Sequence, residues 1–205
     1  MKHKKTHHKP VIMIDFGGVY FFTARPLIKK FSKKFGIPQK NMSDAIMGRN
    51  WAEYAVGRSN EKKYWKNVSD KLGISKKQTL GIRKEWYSLV PHDGMVDLVR
   101  KLKKNYRVAA LSSITAGWVE FLEKKYRISK EFHEQHYSFD HRVDKPDAKL
   151  FLRAAKLMKT KPEDCIVIDD LKIFLAAVNK TGAKTILFKN AKQLERDLRK
   201  LGVEI

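Results

Sequence analysis

The chain is short of cysteine, of long apolar runs and of acids to match its bases, and each shortage narrows what it can be. A single cysteine, Cys165, among 205 residues excludes an intramolecular disulfide and fits a reducing compartment, so a cytoplasmic location is expected. No apolar stretch approaches the ~20 residues that cross a bilayer. The first residues lack the apolar region of a secretory signal, so no membrane partner is expected. No internal repeat or low-complexity block occurs beyond the basic start of the chain. Acids are scarce: 22 Asp plus Glu face 44 Lys plus Arg, a formal net charge of +22. Such an excess attracts polyanions through counterion release, which leaves nucleic acid open as a partner. The lysines are nevertheless spread along the sequence, and no aromatic-basic cluster resembles a base-stacking platform, so a generally basic surface is the simpler reading.

With 42% hydrophobic residues the chain can bury a sizeable core, and its length suits one domain with an insertion better than two independent ones. The most informative stretch is Val11-Ile12-Met13-Ile14-Asp15-Phe16-Gly17-Gly18, an apolar run ending in one carboxylate and a glycine pair. This pattern fits a short interior strand of a parallel sheet, and ligands gather beyond the carboxyl ends of such strands. Arg107 to Leu111 is a second run, ending in Ser112-Ser113, and Cys165 to Ile168 a third, ending in Asp169-Asp170. Between them lies Asp144-Lys145-Pro146-Asp147, where Pro146 suits the first position of a helix with Lys145 in the loop before it. Helices are expected over 95–104, 115–125, 147–159, 174–180 and 191–201, with a further strand over 184–188. Strands alternating with helices argue for an α/β fold with a doubly wound parallel sheet.

The order strand-Asp, strand-Ser, loop-Lys, strand-Asp-Asp resembles the haloacid dehalogenase superfamily, whose core is Rossmann-like, and the match runs from Val11 to about Phe188. The resemblance implies that Asp15 is a nucleophile, that Ser112 hydrogen-bonds a phosphoryl oxygen, and that Lys145 holds Asp15 and the transferred group by charge. It implies a Mg²⁺ site at Asp15, Asp170, Asp169 and the backbone carbonyl of Gly17, with Ser113 and Gly18 near the substrate. Charge supports a cation, because carboxylates converging on one crevice repel unless neutralised, and Mg²⁺ takes oxygen ligands together with substrate phosphate.

The family pattern is broken at one position. Phosphatases of the superfamily usually carry a second Asp two residues after the nucleophile, as acid to the leaving group and base to the attacking water; here Gly17 stands there. General acid-base catalysis contributes roughly 10² to 10⁴ in rate, so the loss should be felt most with basic alkoxide leaving groups. His92 or Asp93 could substitute for the acid, the substrate could need none, or the protein could be a weak enzyme. Leu171 and Ser113 are further departures, at positions often polar and often Asn in relatives.

From Thr23 to about Pro91 the apolar spacing is helical, with Leu27, Ile28, Phe31 and Phe35 on one face before Gly36, and Tyr64, Trp65, Val68 and Leu72 before Gly73. The segment from Trp51 to Ser59 with Tyr64-Trp65 is similar to the small helical cap of the sugar-1-phosphate phosphatase and epoxide-hydrolase N-terminal phosphatase branch. The expected organisation is a basic tail over 1–10, a core over 11–22 and 92–205, and a cap over 23–91. A cap excludes water and selects substrate. Trp65 and Trp86 are expected to pack, with Trp51 the exception that reaches substrate, and Arg49 and Arg58 are candidates for binding a substrate anion. The tail, with four Lys and three His in Met1 to Pro10, reads as solvated chain or an expression remnant rather than a metal site.

The expected function is that of a Mg²⁺-dependent phosphatase of a small phosphorylated metabolite. A catalytically weak fold that binds nucleic acid and a 2-haloacid dehalogenase are the alternatives. A halide departs without a proton, so a dehalogenase has no need of the missing acid.

Overall fold

The computed structural model describes residues 9–205; of the expected tail, residues 1–8 lie outside the described residues. The chain opens with β1 (Val11–Ile14) and passes into five helices: α1 (Arg25–Phe35), α2 (Gln39–Ile46), α3 (Arg49–Ala55), α4 (Glu61–Leu72) and α5 (Lys76–Tyr87). It continues through α6 (Met95–Lys103), β2 (Val108–Ser112), α7 (Ala116–Tyr126), a short α8 (Ile128–Glu131), β3 (Glu134–Tyr137) and α9 (Ser138–His141). It closes with α10 (Lys149–Leu157), β4 (Cys165–Asp169), α11 (Lys172–Asn179), β5 (Lys184–Leu187) and α12 (Ala191–Lys200). No helix among the described residues is long and apolar enough to cross a membrane.

The five strands form one sheet in the order β3-β2-β1-β4-β5, every pairing parallel. Strand side chains alternate between faces, and both faces are covered. Ile12, Ile14, Val108, Ala110, Ile166 and Ile168 join the core beneath α6 and α12, whereas Met13, Ala109, Leu111, Cys165 and Val167 pack against α10 and α11. This is why the strands read as unbroken apolar runs. Cys165 is wholly buried, and burial pushes its thiol up to about 11, away from reactivity.

The order of the strands determines where a site can form. The chain lays β2 and β3 on one side of β1 and then returns to lay β4 and β5 on the other, so the sheet reverses direction between β1 and β4. Ligands collect beyond the carboxyl ends at such a reversal. The register brings the two acidic strand ends side by side: Ile14 pairs with Ile168, and the Asp15 N–H donates to the Ile168 carbonyl at 3.1 Å.

The five inserted helices connect to the core through two adjacent crossings. The Phe22 N–H donates to the Val90 carbonyl (3.0 Å) and the His92 N–H to the Tyr20 carbonyl (2.9 Å), so the outgoing and returning segments form a short antiparallel ribbon. Gly36 and Gly73 close α1 and α4 in the left-handed conformation at φ +65° and +62°, as their stop positions imply.

Some expectations need correction. The edge strand β3 was not expected. Its sequence, Glu-Gln-His-Tyr, is polar because it pairs on one side only, with β2, and its first two residues are half-exposed. Pro146 does not begin a helix: α10 starts at Lys149, and residues 146–148 form an irregular turn after a cis Lys145–Pro146 bond. Helix α11 begins at Lys172, two residues before the expected start, directly after the Asp169–Leu171 loop.

Candidate active site

Asp15 leaves β1 and enters a tight loop in which the Tyr20 N–H returns to the Asp15 carbonyl (3.2 Å) and the Phe21 N–H to the Phe16 carbonyl (2.8 Å). The loop turns the Asp15 carboxyl beyond the sheet edge with only 6% of the residue exposed. Gly18 takes φ +90°, and a Cβ on it would meet Asp170 Oδ2 at 2.6 Å, so only glycine fits. Gly17 differs: its φ is not left-handed, and a Cβ would meet nothing within 4 Å.

Lys145 binds this edge together. Its Nζ donates to Asp15 Oδ1 (2.8 Å), Asp169 Oδ2 (2.5 Å) and the Leu111 carbonyl (3.2 Å). It also stands 4.7 Å from the centroid of the Phe174 ring. Burial alone would lower the Lys145 pKa, but the carboxylates of Asp15 and Asp169 reverse this and hold the ammonium charged. The Lys145 N–H is shared between Asp144 Oδ1 (2.9 Å) and Ser113 Oγ (3.2 Å), which fixes the loop that presents the side chain. Asp169, with no exposure, also accepts the Leu171 N–H at 2.8 Å.

One carboxylate oxygen from each of Asp15, Asp169 and Asp170 lies within 4.8 Å of the others. One buried ammonium serves two of these acids, and the partly exposed Arg25 reaches only the third, at 3.7 Å from Asp170 Oδ2. The cluster is therefore short of positive charge. Burial and then the Asp15 carboxylate raise Asp169 to about 6, against the pull of Lys145, and the same two causes raise Asp170. Among the described residues no backbone or side-chain donor takes up the Gly17 carbonyl. An all-oxygen donor set with surplus negative charge suits a hard divalent cation such as Mg²⁺.

These groups sit at one end of a cavity of about 230 Å³. Asp15, Gly17, Lys145 and Asp170 line its polar end, together with Ser113, Asp144 and Arg25, and Met47, Trp51, Trp86 and Trp118 also line it. Burial raises the Asp144 carboxyl, which faces this space.

The structure thus brings Asp15, Lys145, Asp169 and Asp170 together and places Ser113 and Trp51 on the cavity wall. Ser112 lies at the end of β2 with 1% exposure, behind Ser113 and off that wall. Gly18 is also off the wall, and its N–H is committed to the Phe21 carbonyl (2.8 Å), so it offers no donor to a substrate. His92 and Asp93 do not line the cavity, and the His92 ring packs on Phe22 with centroids 3.8 Å apart. Neither is placed to stand in for the missing acid. Arg58 pairs with Glu53 at 2.9 Å on the surface, and Arg49 is likewise off the cavity. Sequence reasoning did not single out Arg25, Asp144 or Trp118. Arg25 and Trp118 reach the crevice only through the crossing of distant helices, which no local spacing signals, whereas Asp144 is brought there by its place next to Lys145.

Residues 11–171 match the family model described as haloacid dehalogenase-like hydrolase. The chain is 25% identical over 173 residues to flavin mononucleotide hydrolase 1 of the Arabidopsis thaliana chloroplast, covering 83% of this chain and 69% of that protein. Among solved structures it is similar to a haloacid dehalogenase family enzyme of Bacteroides thetaiotaomicron, with a TM-score of 0.79 and 21% identity over 93% of this chain and 98% of that one. The Bacteroides enzyme has also been crystallised with magnesium and inorganic phosphate. The L-2-haloacid dehalogenase of Xanthobacter autotrophicus, with chloropropionic acid covalently bound, is similar at a TM-score of 0.67 and 12% identity, covering 97% of this chain and 85% of that one.

Proposed function

Because the chain belongs to the haloacid dehalogenase-like hydrolases, we propose that it is a Mg²⁺-dependent phosphatase of a small phosphorylated metabolite, working through an aspartyl-phosphate on Asp15. The observation that carries this reading is the charge-deficient acidic triad with one lysine bridging two of its members. A halide displacement has no use for such a cation-seeking cluster, whereas a phosphate ester brings charge that needs one, and this favours a phosphatase over a dehalogenase. The relatives that act on flavin mononucleotide or hold magnesium with phosphate lend support.

In this reading Asp15 Oδ attacks phosphorus, forming a carboxyl-phosphoryl bond as the bond to the leaving oxygen breaks. Water then attacks the same phosphorus and returns the free carboxylate, so one hard displacement becomes two easier ones. Lys145 holds Asp15 in line and counters charge on the equatorial oxygens. Ser113 lines the cavity beside Lys145 and is better placed than Ser112 to reach a phosphoryl oxygen. Mg²⁺, held by Asp15, Asp170 and the Gly17 carbonyl with Asp169 behind, would neutralise the phosphoryl group and orient it. The helices between residues 23 and 91 act as the cap, and the buried Cys165 thiol fits a cytoplasmic setting.

The test is a panel of phosphorylated metabolites, including sugar 1-phosphates and flavin mononucleotide, assayed with and without Mg²⁺. Phosphate release that requires Mg²⁺ and disappears in Asp15→Asn is expected. Metal-independent chloride release from short 2-halo acids, with no phosphate release, would replace this reading by the dehalogenase one.

A further inference from the structure

We infer that the alcohol released from the phosphate ester is a planar aromatic one, a phenol-type ring seated against Trp51, Trp86 and Trp118. This names the substrate class and rests, for its chemistry, on the phosphatase reading above.

Three of the chain's four tryptophans line the one cavity that holds Asp15. They come from three helices distant in sequence, α3, α5 and α7, so their meeting is not the stripe of a single amphipathic helix. Two of them are held firmly. Trp86 and Trp118 are 2% and 8% exposed with ring centroids 6.3 Å apart, and Tyr87 stacks on Trp118 with the planes only 13° apart. Trp51 is half-buried, and Met47, 38% exposed, shares the wall. Rigid aromatic walls with a polarisable thioether favour flat rings, which stack at little entropic cost. A sugar would need partners for each hydroxyl, and beyond the groups around Lys145 and Asp170 the cavity offers Thr23, Arg25 and indole N–H groups, that of Trp118 being buried without a partner among the described residues and able to meet the single oxygen of an aryl ring. The volume of about 230 Å³ falls below the ~300–1,000 Å³ of sites for drug-sized ligands, which suits a small ring better than a nucleotide.

Gly17 supplies an independent reason. With no side-chain acid at this position, the ester that reacts most readily is one whose leaving oxygen can carry away the electron pair unprotonated. A phenolate can do so because its ring delocalises the charge; an alkoxide does so poorly. The step balances without further reagents: the bond from Asp15 to phosphorus forms, the bond from phosphorus to the aryl oxygen breaks, and the phenolate takes its proton from solvent. Water cleaves the aspartyl-phosphate to inorganic phosphate.

Two measurements on the full chain with Mg²⁺ separate this inference from the reading beneath it. Calorimetric binding of phenylphosphonate and methylphosphonate, neither hydrolysable, compares ring with no ring on the same anion. Phenylphosphonate should bind about tenfold tighter, and Trp51→Ala should remove most of that preference while Trp51→Phe keeps it. Equal affinities in the wild-type protein would overturn the inference. Turnover of acetyl phosphate, which has a good leaving group and no ring, tests the phosphatase chemistry alone. If acetyl phosphate is hydrolysed and the ring preference is absent, the aromatic site falls and the phosphatase stands. If the preference is present and neither acetyl phosphate nor phenyl phosphate is hydrolysed, the site stands and the phosphatase reading falls. In the active enzyme, Trp51→Ala should lower kcat/KM for 1-naphthyl phosphate about tenfold relative to acetyl phosphate, mainly through KM. An unchanged ratio would count against the ring.

Discussion

Gly17→Asp would put back the acid that most related phosphatases carry, and the structure permits the change. The backbone there is not left-handed, and an added Cβ meets no heavy atom within 4 Å, so the strain that would accompany the same change at Gly18 is absent. The new carboxyl would join Asp15 and Asp170 at the polar end of the cavity, where like charge and partial burial raise a carboxyl pKa. That is the direction an acid catalyst needs. The benefit should scale with the basicity of the departing oxygen: up to roughly 10² to 10⁴ for a simple alkyl phosphate and close to nothing for a nitrophenyl ester. The assay is a series of phosphate monoesters of graded leaving-group basicity at saturating Mg²⁺, with kcat/KM plotted for both proteins. The wild-type plot should fall steeply and the mutant plot flatten. A folded mutant that binds Mg²⁺ and keeps the wild-type slope would refute the reasoning, because another group, with Asp144 the first suspect, would then already deliver the proton.

Asp15→Asn should reduce phosphate release to background while leaving the melting temperature near that of wild type, since the amide keeps the shape and an acceptor for Lys145 but not the nucleophile. Lys145→Met removes the cation from a buried pair and should cost about 3–5 kcal/mol in urea unfolding without metal; a loss under 1 kcal/mol would mean the ion pairs matter little. Mg²⁺ at about 100 times its dissociation constant should add ~2.7 kcal/mol, or about 5–10 °C for a chain of this size, and Asp170→Ala should abolish the shift. Without metal, Asp169 carries a folded pKa of about 6 against an ordinary 3.8, so the folded state holds its proton more tightly. Stability should be greatest below about pH 4 on this account and fall as pH rises through 6. Mg²⁺ affinity should rise over the same interval, and an opposite slope in chelator-treated protein would contradict the assignment.

Much of the site could be read from the chain because its parts are local. An apolar run that ends in Asp15, and another that ends in Asp169-Asp170, are legible since interior parallel strands must be apolar on both faces and can turn polar only at their ends. The glycines that close α1 and α4 were equally readable, because the left-handed conformation favours them. What escaped was whatever depends on assembly. Strand β3 hides in a polar sequence because an edge strand has a neighbour on one side only. Trp118 sits in a helix whose spacing marks it as core, which it is at 8% exposure, and it also forms cavity wall. Arg25 gives no sign in its own neighbourhood that it will stand 3.7 Å from Asp170. Gly18 shows the reverse: its glycine is required by the Asp170 carboxyl beside it rather than by a substrate.

The ribbon that joins the inserted helices to the sheet has a mechanical consequence. Its two hydrogen bonds, Phe22 to Val90 and His92 to Tyr20, fasten both crossings to each other, so the outgoing and returning segments form one junction, and the Gly117–Tyr54 and Tyr126–Leu89 hydrogen bonds tie the inserted layer to the core a second time. That junction begins where the loop carrying Asp15 and Gly17 ends, the Phe21 amide being bonded back to Phe16. Any swing of the helical layer therefore works against the same few peptide units that aim the nucleophile, and access to the cavity and alignment of its reactive carboxylate are geared to one another.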